Sequence, residues 1–71
     1  MDLRQLVGRN VRLYRKRLGA SQEDLAFRAG LHRTYVSGVE RGIRNPTVLI
    51  IGRLAKALKI QPGSLLETKH N

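Results

Sequence analysis

Hydrogen-bonding side chains recur along one side of a short segment in the middle of the chain. They are His32, Arg33, Thr34, Ser37 and Arg41. A guanidinium such as that of Arg33 offers two parallel donors, which match O6 and N7 of guanine. The Thr34 hydroxyl suits a base or a phosphate and its methyl group suits thymine, whereas Ser37 has the same polar options with less reach. These residue types are therefore suited to distinguishing bases, and the alternative interpretation is a solvated helix surface.

Catalytic and metal chemistry have little support in the sequence. The chain has no cysteine, and His32 and His70 are its two histidines, too few neutral ligands for a metal site. There is no nucleophile–base pair, and the glycines stand singly rather than in a phosphate-binding loop. We therefore expect no enzyme activity, no metal, no cofactor and no small-molecule ligand.

The segment from Ser21 to Arg41 must position the polar side chains, and it predicts two short helices joined by a tight turn. Ser21 suits an N-cap with Asp24 three residues later, and Gly30 suits the left-handed residue that ends a helix. His32 is expected to cap the second helix weakly. Apolar residues follow at Leu25, Ala26, Ala29, Leu31, Val36 and Val39. This is the spacing of a helix-turn-helix, with an ordinary helical hairpin as the alternative.

The rest of the chain predicts three further helices and no strand. Helix 1 spans residues 2–18, with an apolar stripe at Leu3, Val7, Val11, Tyr14 and Leu18. Thr47 can cap a helix that runs to about Lys59, with Val48, Ile51, Leu54, Ala55 and Leu58 turned inward. Pro62 suits the start of a short fifth helix, and residues 67–71 form a polar tail. The prediction is an all-α single domain over residues 1–71.

Charge indicates the class of partner. The 71 residues carry a net charge of +9 and the pI is about 11.5, a balance that favours a polyanion, usually nucleic acid. No apolar run approaches the roughly 20 residues of a membrane span. The first residues lack the apolar region of a signal peptide. We expect a soluble, cytoplasmic protein with no membrane partner.

The chain resembles the Xre/Cro-type helix-turn-helix domain of phage repressors and bacterial regulators. The resemblance runs from about Val7 to Leu66 and rests on Gly8, Arg15, SQEDLA, the AGL turn, VERG, RNPT and LAKAL. Within that family, HRTYVSGVERGIRN is similar to the recognition segment of restriction–modification controller proteins, small dimeric regulators of their own gene and the endonuclease gene. The resemblance implies a compact five-helix, lambda-repressor-like fold. It also implies a transcriptional regulator that binds double-stranded operator DNA as a homodimer.

The resemblance also implies a role for each matching position. Base-reading positions fall on Arg33, Thr34 and Ser37, and Gly38 stands where many relatives carry a longer reader. Positions that contact the DNA backbone fall on Gln22, through both its backbone N–H and its side chain, and on Arg41, Arg44 and Asn45. Arg15 and Glu40 match a pair that forms an internal salt bridge in relatives.

Two aromatic residues are harder to place from the sequence. Tyr35 suits either the edge of the core or a hydroxyl contact to a phosphate. Phe27 falls near the outer face of the first short helix, where we expect partial burial against helix 1 or helix 3. No function is assigned to Phe27.

Elimination places the dimer surface on the C-terminal half of the chain. Helix 3 must face DNA, and two cationic copies of helix 1 would repel each other. Apolar residues in excess of one small core are Leu49, Ile50, Leu65 and Leu66, and exposed apolar patches usually mark interfaces. Gly52 would let a neighbouring chain come close. The alternative is that Leu49 and Ile50 cover helix 5 within one chain.

Two other functions stay open at this point. One is the antitoxin of a toxin–antitoxin pair, which would use the same DNA chemistry. The other is a protein-interaction module on the same fold, against which Arg33 and Thr34 argue because they place reading groups at the outer face.

Overall fold

The computed structural model describes residues 2–68, which form four α-helices and a 3₁₀ helix, with no strand among them. The elements are α1 (Leu3–Leu18), α2 (Gln22–Ala29), α3 (Arg33–Glu40), α4 (Val48–Leu58) and the 3₁₀ helix (Pro62–Leu66). The prediction of an all-α fold with five helices is confirmed, with the fifth helix in 3₁₀ form. No helix in the described part is long and apolar enough to cross a membrane. His70 and the end of the predicted polar tail lie outside the described residues.

Nearby side chains begin and end most of these helices. The Asp2 carboxylate accepts a hydrogen bond from the Arg4 N–H at the start of α1, and the Thr47 hydroxyl accepts from the Ile50 N–H at the start of α4. These bonds satisfy donors that have no partner inside a helix. Gly30 ends α2 with φ 68°, a left-handed conformation that glycine adopts without a steric penalty.

The core lies where α1, α2 and α3 cross, and it continues beneath α4. Its largest fully buried side chains are Asn10, Val11, Leu25, Val36, Val39, Leu54 and Leu65. α3 packs against α1 and α2, whereas α4 packs against α2, α1 and the 3₁₀ helix. Consequently α2 has α3 on one side and α4 on another. Burying each large apolar side chain contributes about 1.5–3 kcal/mol, so this junction is the main source of stability.

The inward face of α1 is rotated from the predicted stripe. Val7 and Val11 are buried as predicted, but Leu3 is exposed and Leu6 is buried in its place. Asn10 is also buried on this face. α3 and the 3₁₀ helix pack against α1, and Leu3, the first residue of the helix, remains exposed.

α4 is buried only in its C-terminal half. Leu54, Ala55 and Leu58 are buried as predicted, whereas the inward position predicted for Val48 is wrong because that side chain is exposed. The first turn of α4 extends past the elements that cover its later turns. A Cβ at Gly52 would meet no atom within 4 Å, so no part of the same chain approaches closely there.

Three other expectations about burial or capping are also wrong. Phe27, expected to be partly buried, is 87% exposed, because α3 and α4 cover other faces of α2 and leave this one uncovered. Leu65 is 0% exposed and therefore belongs to the core, not to a surface patch; Leu66 is the exposed member of that pair. His32 occupies the N-cap position of α3 but makes no side-chain capping hydrogen bond.

Candidate nucleic-acid interface

α3 turns one face to the core and presents the opposite face to solvent. Val36 and Val39 are fully buried, and because they lie three residues apart they occupy the same inward side of the helix. Arg33 and Thr34 are exposed and Ser37 is half-buried. Within residues 2–68 these three polar side chains form no hydrogen bond or ion pair. Their donors and acceptors are therefore available to an external partner.

The end of α3 lies directly against the backbone of α1. A Cβ built on Gly8 would lie 2.8 Å from the Glu40 carbonyl oxygen and closer still to that of Val39. No larger residue fits without moving one helix, so Gly8 sets the distance between α1 and α3. In the sequence Gly8 is recognisable only as part of a motif, and this role was not predicted.

A bidentate ion pair joins the same two helices. Arg15 Nε donates to Glu40 Oε2 at 2.6 Å and Arg15 Nη2 donates to Oε1 at 3.0 Å. The side chains are only 12% and 4% exposed, and Arg15 Nη1 also donates to the Ala20 carbonyl. Hydrogen bonding to Glu40 raises the pKa of Arg15 above its usual value, since the charged form is the form that donates. The pair fixes the end of α3 and neutralises its carboxylate.

Gln22 connects the start of α2 to this ion pair. Its side-chain Nε2 donates to Glu40 Oε1 at 3.2 Å, so the side chain predicted to contact a phosphate is turned toward the protein. The Gln22 backbone N–H is in the first turn of α2, where donors lack intrahelical acceptors and the helix dipole favours an anion. The geometry thus leaves the backbone half of the predicted contact available.

The loop after α3 carries a cation that is held in place. The Arg44 guanidinium lies 5.7 Å from the centre of the Tyr35 ring, within the range of a cation–π contact. A Cβ at Gly38 would lie 2.6 Å from Arg44 Cγ, so the missing side chain at Gly38 makes room for the Arg44 stem. Tyr35 itself is half-buried and packs at the edge of the core.

Positive charge dominates this side of the protein. Arg33, Arg41 and Arg44 are all exposed, as is Asn45. Glu40 is the one acidic residue between Asp24 and Glu67, and Arg15 already neutralises it. A polyanion that approaches α3 and the loop after it would therefore meet these cations, and no carboxylate of residues 25–66 other than the paired Glu40 opposes them.

Residues 11–65 match the family described as helix-turn-helix. The chain belongs to the helix-turn-helix family. It is a DNA-binding transcriptional regulator of the Xre type, as the resemblance in its sequence implied. Its relatives are transcriptional regulators rather than enzymes.

Restriction–modification controller proteins are among the proteins most similar to this helix-turn-helix regulator. Control protein C.BamHI of Bacillus amyloliquefaciens is 46% identical over 67 residues, which cover 93% of this chain and 83% of the relative. The crystal structure of the controller protein C.AhdI of Aeromonas hydrophila superposes with a TM-score of 0.85 at 48% identity, covering 87% and 94% of the two chains. The crystal structure of a tetramer of controller protein C.Esp1396I in complex with its natural 35-base-pair operator superposes with a TM-score of 0.83 at 34% identity. The match covers 92% of this chain and 86% of the other.

Two further residues hold this helix-turn-helix domain together and were missed from the sequence. Asn10 Nδ2 donates to the carbonyl oxygens of Leu65 and Glu67, both at 2.9 Å, which ties the C-terminal segment to α1. Arg53 donates from Nε to the Ala29 carbonyl and from Nη2 to the Gly30 carbonyl, so α4 caps the end of α2. The only sequence signal for Asn10 is a polar residue three positions after Val7 on an apolar face; Arg53 gives no such signal.

Proposed function

We propose that this regulator is a restriction–modification controller protein that binds a two-fold symmetric operator as a homodimer. The observation that carries the proposal is the exposed start of α3, where Arg33 and Thr34 have no internal partner on a helix whose far end is fixed. The similarity to C.BamHI and C.AhdI supports the controller assignment.

In this proposal α3 lies in the major groove and reads bases from its N-terminal end. Arg33 donates both guanidinium N–H groups to one guanine, a contact that discriminates by about 1–3 kcal/mol. Thr34 and Ser37 contact neighbouring base edges, and Gly38 adds no contact. The single domain thereby reads one half-site.

Phosphate contacts set the position of α3 over those bases. Arg41, Arg44 and Asn45 lie in or beside the loop after α3, with exposed side chains, and the Gln22 N–H lies at the start of α2. Contacts of this kind fix register and supply affinity without base identity. Because Tyr35 already holds the Arg44 guanidinium, less side-chain entropy is lost when Arg44 meets a phosphate.

The dimer surface is proposed at the exposed start of α4 and the end of the 3₁₀ helix. Leu49 is 79% exposed, and Val48 and Leu66 are also exposed, whereas Ile50 is half-buried against the core. Leu66 also lines a shallow apolar pocket with Leu3, Pro46 and Ile51. In the proposed dimer a second copy covers these residues, and adjacent major grooves require the two α3 helices to lie about 34 Å apart.

Sedimentation equilibrium of the Leu49→Asp, Leu66→Asp double variant tests this surface. Both side chains are exposed, so the variant should remain helical but become monomeric and bind a half-site weakly. Phe27→Asp is the matched control, because it places the same charge at an exposed apolar position on another face and should leave the dimer intact. A double variant that still sediments as a dimer would refute the placement.

Selection of bound duplexes from a random pool tests the operator. The recovered sites should be two-fold symmetric, and a match should lie upstream of the protein's own gene and of a neighbouring endonuclease gene. Recovered sites without symmetry would count against the dimeric operator. Symmetric sites without an endonuclease gene nearby would count against the controller assignment alone.

A further inference from the structure

A second surface lies away from α3, in a groove between the end of α2 and the C-terminal half of α4. We call it the Phe27 groove; its main lining residues are Phe27, Arg28, Gly30, Arg53, Lys56 and Lys59. Phe27 is the only phenylalanine of the chain, and its ring is almost fully exposed. A single exposed apolar residue is common on protein surfaces. The Phe27 ring therefore indicates a binding site only in combination with the groups around it.

The groups around Phe27 are cationic and lack an anion. Four of the lining residues are basic and none is acidic. Arg53 is held by the backbone carbonyls of Ala29 and Gly30, which fix its orientation but do not neutralise its charge. Lys56 and Lys59 form no ion pair within residues 2–68.

Three of the five acidic residues, Asp2, Asp24 and Glu40, have side-chain partners outside the groove. The Asp2 and Glu40 carboxylates pair with Arg4 and Arg15. The Asp24 carboxylate accepts from the Ser21 N–H, although it also attracts Arg28 at the edge of the groove. No carboxylate of the described residues forms an ion pair with a groove cation, although Asp24, and Glu23 one turn before Phe27, lie on the helix that forms one side of the groove.

The position of the groove separates it from the DNA-reading surface. α3 packs against α1 and α2, while the groove is formed where α4 packs against α2. Gln22, whose backbone N–H is the proposed phosphate contact, and Gly30, which lines the groove, lie at opposite ends of α2. An exposed aromatic ring is not a phosphate-binding group, so Phe27 is not explained by contact with the DNA backbone.

We propose that the Phe27 groove binds an acidic segment of a partner protein. An apolar side chain of the segment packs against the Phe27 ring, and flanking carboxylates meet Arg28, Lys56 and Lys59. Aromatic residues and arginine are enriched at the centres of protein interfaces, and complementary charge steers such encounters. The regulator would hold this partner while α3 remains on its operator.

The test follows backbone amide shifts of the full chain by NMR, with a short synthetic peptide of glutamates around one tryptophan as the probe. Saturable shifts should cluster at Gly30, Lys56 and Lys59. The matched peptide with glutamines in place of glutamates should bind about tenfold more weakly, because several charge contacts are lost together. Absence of saturable shifts with the acidic peptide would overturn the proposal.

Variants separate this groove from general attraction to a basic protein. Phe27→Ala should weaken peptide binding about tenfold and leave DNA binding unchanged. Lys56→Gln should weaken peptide binding about two- to fivefold. Lys16→Gln is its control, because Lys16 is also an exposed lysine in the last turn of a helix, and it should have no effect.

Two results would contradict the proposal directly. One is an equal loss of peptide binding in Lys16→Gln and Lys56→Gln, which would show unspecific charge attraction. The other is a set of shifts in the groove on addition of operator duplex as large as those in α3, which would make the groove part of the DNA surface.

Discussion

α2 and α3 have the same length, eight residues each, but they are stabilised in different ways. Residues next to α2 close both of its ends: Ser21 and Asp24 form a capping box, and Gly30 ends the helix in a left-handed conformation. α3 has no side-chain cap at its start and no acidic residue in its first turn. Its fixed end is the far one, where Glu40 meets Arg15 and Gln22.

The difference explains how α3 can be held in place at its C-terminal end and remain accessible to a partner at its N-terminal end. The first N–H groups of α3 and the positive end of its dipole are not neutralised by the protein. Arg33 lies in that first turn, where a cation is unfavourable until an anion arrives. DNA phosphates would supply that anion. Because α3 is anchored at its C-terminal end, its N-terminal end remains available for recognition.

The largest expected effect comes from removing the anchor of α3. Arg15→Ala or Glu40→Ala should lower the free energy of unfolding by about 3–5 kcal/mol, because each leaves a nearly buried charge without its partner. Urea unfolding at a fixed protein concentration measures the loss, and Lys16→Ala, an exposed neighbour on α1, is the control. The free energy of unfolding of the double variant should fall by much less than the sum of the two single decreases. Additive decreases would show that the pair does not interact.

The contact between α1 and α3 can be tested by adding a single methyl group. Gly8→Ala should destabilise the fold by about 2 kcal/mol, because its Cβ would press on the Val39 and Glu40 carbonyls and overpacking outweighs the gain in helix propensity. Gly52→Ala is the control: it has open space at the Cβ position and should stabilise the fold by about 0.5–1 kcal/mol. Equal responses of the two variants would show that Gly8 does not set the helix spacing.

The two helices also differ in how much the sequence alone could predict. The ends of α2 are decided by residues within it or next to it, and both were predicted. The inward positions of Val36 and Val39 follow from helical spacing and were predicted as well. The exposed outer face of α3 follows from the same spacing, which is why the candidate reading residues could be named.

Contacts between residues distant in sequence were the ones missed. Asn10 bonds to the backbone of residues more than fifty positions away, and Arg53 caps α2 from α4; neither has a local signal. The predicted burial of Phe27 and exposure of Leu65 were wrong for the same reason. Both depend on where α4 and the 3₁₀ helix pack, and periodicity does not determine that placement.

Substitutions at the exposed start of α3 and in the loop after α3 should affect DNA binding differently. Arg33→Ala should cost about 1–3 kcal/mol on the preferred operator and relax one base position in each half-site. Arg44→Ala should weaken all sequences alike and reduce the salt slope by about one unit. Binding to a set of single-base operator variants decides between these patterns. Unchanged preference of the Arg33 variant at every base would remove that residue from base reading.

The starts of the two helices should respond differently to removal of the capping residue. Ser21→Ala should cost about 1 kcal/mol, because the Ser21 hydroxyl accepts a hydrogen bond from the Asp24 N–H at 2.9 Å. His32→Ala should change stability by only a few tenths of a kcal/mol, since His32 makes no capping bond. Urea midpoints of both variants measure the contrast, and a loss at His32 as large as that at Ser21 would mean that α3 is capped after all.

Acid should weaken the capping box of α2. Hydrogen bonds from the Ser21 N–H and hydroxyl lower the pKa of Asp24 below its usual value of 3.8. Since the folded pKa is the lower one, this stability is present above the unfolded pKa and is lost as pH falls through the folded value. The difference in urea midpoint between the unmodified protein and Asp24→Asn should therefore shrink as pH falls below about 4. Asp2 titrates in both proteins and cancels from the difference. Glu23→Gln, a first-turn neighbour outside the capping box, is the control, and an Asp24→Asn difference that stays constant into acid would exclude this carboxylate as the source of the cap's pH dependence.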